Sequence, residues 1–136
     1  MALDIFDKAY IHFQSPDKEI TVNMDKTQLI RIVTNLIQNA IHATEELEDP
    51  RITLTISESE HAIELLVFDN GKGIVEALKP KVFEPRFTTK SSGMGLGLPM
   101  VKKIVEGYGG AISFQSQEEI GTQFIVHIPK GITSGA

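Results

Sequence analysis

The chain has 136 residues, 41% of them hydrophobic and 23% charged, which suits one folded domain and argues against wholesale disorder. Thirteen Lys and Arg against eighteen Asp and Glu leave a net charge of −5, so sequence-blind nucleic-acid binding is not expected and any anion site must come from local geometry. The absence of cysteine excludes a disulfide scaffold, a thiolate metal site and a cysteine nucleophile.

No apolar run approaches the ~20 residues of a membrane span. The opening MALDIFDKAY lacks the basic-then-apolar order of a signal peptide. A cytoplasmic domain without membrane contact of its own is the expectation.

In chain order, EITVNM (19–24) alternates weakly and reads as a strand. Asp25 then stands as an N-cap, with Gln28 placed to reach back as in a capping box. Leu29, Val33, Leu36, Ala40 and Ala43 make an apolar stripe at helical spacing, widened by Ile30, Ile37 and Ile41, which predicts a helix over about 26–46. RITLTI (51–56) and IELLVF (63–68), separated by the polar SESEH, read as a hairpin.

All eleven glycines follow residue 70, so tight turns and close backbone approaches belong to the second half. Residues 74–94, with Pro80, Pro85 and the polar TTKSSG tract, read as a long loop with one helical turn, a length that suits a lid. A second helix is expected to start near Leu98, with Pro99 in its first turn, and to stop at Gly107–Gly110. Residues 111–116 and 122–128 form a last hairpin, and the tail GITSGA is expected to fray. Hairpin-joined strands without regular βαβ alternation predict an α+β fold, a two-layer sandwich with a mixed, mostly antiparallel sheet covered by helices.

Three clusters carry polar or glycine-rich chemistry. Asn35 and Asn39 share a helix face and His42 follows on nearly the same meridian. Alone this is a solvated face, but an amide oxygen also suits Mg²⁺ beside a phosphate. Asp69-Asn-Gly-Lys-Gly73 closes a strand; it is either a plain turn or a ligand-facing carboxylate flanked by glycines. Gly93-Met-Gly-Leu-Gly-Leu98 enters a helix, where free N–H groups and the positive dipole end favour phosphate. It is neither a Walker A loop nor a full dinucleotide fingerprint.

Taken together and in this order, NLIQNAIHA resembles an N box, DNGKGI a G1 box, FEPRFTTK an F box and GMGLGL a G2 box. The closing GTQFIVHIP resembles the final strand of the same family. Over residues 19–129 the chain is similar to the catalytic ATP-binding domain of sensor histidine kinases, in the GHKL ATPase superfamily, and its wording is nearest the nitrogen-regulation type. The resemblance implies the Bergerat fold, ATP and Mg²⁺ as ligands, and a single domain over 1–136 that is part of a larger kinase.

Residue by residue, the resemblance makes Asn39 the Mg²⁺ ligand, with Asn35 assisting, and Asp69 the acceptor of the adenine amino group. Gly71 and Gly73 let the strand end pass the base. Gly93, Gly95 and Gly97, with the N–H groups around Leu96 and Leu98, hold phosphates. Thr88, Thr89 and Lys90 fall on the ATP lid, Lys90 bringing charge to the β- or γ-phosphate. Two positions depart from the pattern: Met94 replaces a common threonine, and His42 stands where some members carry a cation facing the γ-phosphate.

Hydrolytic and serine-kinase members carry a Glu base where this chain has Asn35, which cannot take a proton. The resemblance therefore favours a histidine kinase. None of His12, His42, His61 and His127 precedes an acidic residue, so the acceptor histidine is expected on a separate dimerisation domain, with a response regulator downstream. The alternatives are a non-catalytic nucleotide-binding regulator and a serine kinase of the same superfamily.

Overall fold

The computed structural model describes residues 11–14, 24–84 and 94–130. Strand β1 (Ile11–Gln14) is followed by helix α1 (Lys26–Thr44), strands β2 (Ile52–Glu58) and β3 (Ala62–Asp69), and a 3-10 helix (Glu76–Lys81). Helix α2 (Met94–Gly107) and strands β4 (Ala111–Gln117) and β5 (Gly121–Pro129) complete the order. The five strands form one sheet, β1-β2-β3-β5-β4, in which β1 and β2 run parallel and every other pair antiparallel. This is the expected mixed, mostly antiparallel sheet.

The layering follows from periodicity. Ile32, Leu36, Ile37 and Ala40 fall on one face of α1 and are buried, as are Leu98, Val101 and Val105 of α2. They pack on Ile52, Leu54, Leu65, Val67, Val126 and Ile128, which alternate along the central strands. Both helices therefore cover one face of the sheet. Phe83, just after the 3-10 helix, packs edge-on against Phe114 and Phe124 at 5.8 and 6.4 Å between ring centres. That trio anchors the chain where it leaves the wall of the cavity described below.

A short edge strand, β1, precedes α1 at Ile11–Gln14, and of the expected strand over 19–24 all but Met24 lies outside the described residues. Two expectations are corrected. The capping box is half made: the Asp25 carboxylate accepts from Thr27 N–H at 3.2 Å, whereas the Gln28 side-chain oxygen has no partner among the described residues. Helix α2 begins at Met94, four residues before Leu98, which leaves Pro99 inside the helix and not in its first turn. Pro99 has no N–H to give the carbonyl four residues back, that of Gly95.

Candidate functional site

The C-terminal ends of α1 and β3 meet the start of α2 and the tip of the β4–β5 hairpin around a cavity of about 300 Å³. Asn39, Asp69, Gly73 and Leu98, four of the site residues named from sequence, line it. Ala43, Lys72, Ile74, Val75, Leu78, Val82, Thr122 and Phe124 complete most of the wall. The lining is apolar for the most part, with a few converging polar groups, as a site for a flat heterocycle requires.

Asp69 is the last residue of β3 and only 3% exposed. Its carboxylate accepts from Gly71 N–H at 2.8 Å and from the backbone N–H of Thr122, its cross-strand partner. Burial pushes its pKa from 3.8 up to about 6, against the two N–H donors, which pull it down. A carboxylate held in an apolar cavity is a strong acceptor for a donor that arrives without water.

The turn after Asp69 is locked by backbone contacts. Asn70 accepts from Arg51 N–H at 2.8 Å and donates to the Asp49 carbonyl at 3.0 Å, so its amide is a turn-builder. Lys72 N–H donates to the Ala43 carbonyl at 3.2 Å, and a β-carbon at Gly71 would overlap that same carbonyl oxygen. Gly73 has φ +74° and presses on the Gln117 carbonyl, so both its conformation and its neighbour demand glycine. The two glycines first let this turn nest between α1 and the β4–β5 hairpin.

At the other end stands Asn39, 6% exposed, whose amide nitrogen has no hydrogen-bond partner among the described residues. A buried donor left unpaired in a cavity wall is costly unless something polar fills the space. Asn35 is not on the cavity. Its amide donates to the Arg31 carbonyl at 2.7 Å, and its oxygen lies where a β-carbon on Gly97 would stand. Gly97 is thus explained by the close crossing of α1 and α2.

His42 is half-buried in the last turn of α1 and does not line the cavity. Gly95 and Leu96 lie in the first turn of α2. Thr88, Thr89, Lys90 and Gly93 lie outside the described residues.

Sequence reasoning missed Thr122, Ile74, Leu78 and Phe124. The GTQF tetrapeptide contained the signal for two of them, since alternation puts Thr122 and Phe124 on one face of β5, the face toward the helices.

Comparison with known proteins agrees with this fold. The family model for the histidine kinase-, DNA gyrase B- and HSP90-like ATPases matches residues 24–132. The sensor histidine kinase ZraS of Escherichia coli (strain K12) is 38% identical over 123 residues, which are 90% of this chain and 26% of that protein. The chain thus spans about a quarter of that relative's length. The nucleotide-free catalytic domain of histidine kinase ThkA superposes with a TM-score of 0.76 at 36% identity, covering 88% of this chain and 79% of that one. ThkA in complex with the response regulator protein TrrA matches with a TM-score of 0.73 at 35% identity, over 89% of this chain and 34% of that one.

Proposed function

The chain belongs to the histidine kinase-, DNA gyrase B- and HSP90-like ATPase family, and we propose that it is the catalytic domain of a two-component sensor kinase. In this reading it binds Mg-ATP and transfers the γ-phosphate to a histidine on a separate dimerisation domain. One observation carries the nucleotide reading: a buried carboxylate, Asp69, and a buried amide, Asn39, whose nitrogen has no partner among the described residues, face one apolar cavity.

Asp69 accepts the adenine amino group and selects adenine over bases that present a carbonyl at that position. Ile74, Leu78 and Phe124 contact the ring. Asn39 fits a metal–phosphate end, because its amide supplies an oxygen of the kind Mg²⁺ takes, and its nitrogen, without a partner among the described residues, finds a phosphate oxygen. Among the described residues no group of three His, Asp or Glu is placed to hold a metal, so the ion would rest on Asn39, phosphates and water. When bound, Mg²⁺ neutralises charge on the phosphates during transfer.

Thr88, Thr89 and Lys90 are assigned to the phosphates by the motif alone, Lys90 for its positive charge. Of the glycine-rich run, the free N–H groups in the first turn of α2, around Gly95 and Leu96, are the ones placed to hold phosphate oxygens at the helix entrance.

The chemistry of transfer then depends on positioning. Asn35 is turned to Arg31 and Gly97, off the cavity, and carries no carboxylate to activate water. Imidazole is already a competent nucleophile, so a histidine acceptor fits a site without a base at that position. A response regulator is the proposed recipient downstream, by analogy with the ThkA–TrrA complex. None of the described helices is long and apolar enough to cross a membrane; a cytoplasmic setting is part of the proposal.

The test is radiolabelled ATP, first with the chain alone and then with a dimerisation-domain fragment bearing the acceptor histidine. The expected result is little reaction alone and an acid-labile, base-stable label on the fragment. Label on serine, or rapid phosphate release without the fragment, favours the serine-kinase or hydrolase alternatives. ATP binding with no transfer favours a non-catalytic regulator.

A further inference from the structure

Ser116 of β4 is the point at which three parts of the cavity are tied together. Its hydroxyl stands 2.8 Å from that of Thr122, its cross-strand partner, and 3.2 Å from the Gly121 carbonyl. The same oxygen accepts the backbone N–H of Ile74 at 2.8 Å. Its carbonyl accepts from the Lys79 ammonium at 2.7 Å, a side chain only 26% exposed whose other partner is Glu76. One strand residue therefore holds both ends of segment 74–79.

That segment is one wall of the cavity, through Ile74, Val75 and Leu78. A single 3-10 helix is its own regular structure, so its place depends on what it hangs from. Across the cavity Thr122 lines the wall and gives its backbone N–H to Asp69. The Ser116 hydroxyl has one proton, and the Ile74 N–H occupies one lone pair. That proton goes to the Gly121 carbonyl or to Thr122; in the first case Thr122 donates to Ser116. Either way the Ile74 wall and the Thr122–Asp69 end are joined through a single oxygen.

We propose that Ser116 is a positioning residue for base recognition, setting the spacing between the Ile74–Leu78 wall and Asp69. The inference rests on the nucleotide site proposed above and names a residue that acts on that site without lining it. An alanine here strips the acceptor from Ile74 and frees Thr122 together, while a threonine keeps the hydroxyl and suits a strand.

The experiment measures ADP and IDP affinities by competition against a fluorescent ADP analogue, with far-UV circular dichroism confirming the fold. IDP carries a carbonyl where adenine carries its amino group, so the ADP-to-IDP ratio reports on the base and a purely structural role leaves it unchanged. Ser116→Ala is expected to weaken ADP about tenfold and to reduce the ratio, and Ser116→Thr to restore ADP affinity to within about threefold of wild type. Should the alanine variant not fold, Ser116→Cys is judged by the same criteria.

Wild-type protein that fails to bind ADP refutes the nucleotide site and the proposal with it. If the wild type binds, three results overturn the proposal alone: unchanged ADP affinity in Ser116→Ala, equal loss in the alanine and threonine variants, or ADP and IDP weakened in proportion.

Discussion

The two ends of the cavity are built on opposite principles. At the Asp69 end polar groups are satisfied by the protein itself, through two backbone donors on the carboxylate and the hydroxyl pair of Ser116 and Thr122. At the Asn39 end a buried amide nitrogen has no partner among the described residues. The first end is preformed before any ligand arrives, which suits discrimination among rigid bases. The second carries a standing cost that a ligand relieves, which suits groups that bring their own charge and hydration.

The largest expected effect concerns the cost of the preformed end. Asp69 has its pKa raised from 3.8 to about 6, so its contribution to stability is fully present below 3.8 and is lost as pH rises to about 6. At 1.36 kcal/mol per pKa unit the loss amounts to about 3 kcal/mol. Urea unfolding of the unliganded chain between pH 4 and pH 7 is expected to show this decline, and Asp69→Asn to flatten it. Equal slopes in the two proteins would mean that the carboxylate is not strained by burial, and the contrast between the ends fails.

Next comes the effect of the same substitution on binding. Asp69→Asn keeps a side-chain oxygen for one of the two backbone donors, so the fold is expected to survive. It loses a charge-assisted acceptor, at about 1.5–3 kcal/mol, or roughly ten- to a hundredfold in ATP affinity by calorimetry. In the wild type, affinity is expected to be level above pH 7 and to fall as pH drops below about 6, because the bound amino group favours the ionised carboxylate. A pH-independent affinity would remove Asp69 from the adenine contact.

Asn39→Ala probes the opposite end and has two readouts of different sign. Deleting a buried amide whose nitrogen has no partner among the described residues is expected to leave the unliganded chain as stable as wild type or about 1 kcal/mol more stable. The tightening of ATP binding by Mg²⁺ is expected to fall by about tenfold, with metal-free affinity reduced by less, through loss of the amide's bond to phosphate. Destabilisation of the free protein by 2 kcal/mol or more would show that Asn39 is satisfied after all.

What sequence could disclose differs between the two ends for physical reasons. Helix α1 was legible because its stripe from Leu29 to Ala43 repeats at helical spacing, and the hairpins because alternation is a local signal. Asn39 and Asp69 were named as site residues from motifs, and both line the cavity. The β1 strand was not legible: four residues gain their identity only by pairing with β2, a non-local contact. The start of α2 was misplaced because a proline usually marks a first turn, whereas here the helix continues through it.

Gly71 and Gly97 carry the same lesson at the level of single residues. Motif reasoning assigned them to ligand approach, while the chain itself crowds them, through the Ala43 carbonyl and the Asn35 side chain. Neither neighbour is close in sequence, so only the fold discloses the reason. Ser116 has no signal at all in a string of polar strand residues, since its importance lies in what 74–79 hangs from.

The smallest expected effect tests how far the Asn39 end extends. His42 is one turn beyond Asn39 on α1, half-buried, and not part of the cavity wall. Its backbone carbonyl accepts from Glu45 N–H, a contact that alanine preserves. Alanine also has the higher helix propensity, which offsets lost side-chain packing. His42→Ala is therefore expected to change stability by no more than about 0.5 kcal/mol and ATP affinity by less than about threefold. The informative quantity is the ratio of ATP to ADP affinity, because only a residue reaching the γ-phosphate alters ATP without altering ADP. A ratio that falls tenfold in the variant would bring His42 into the phosphate end and make that end larger than the cavity which Asn39 closes.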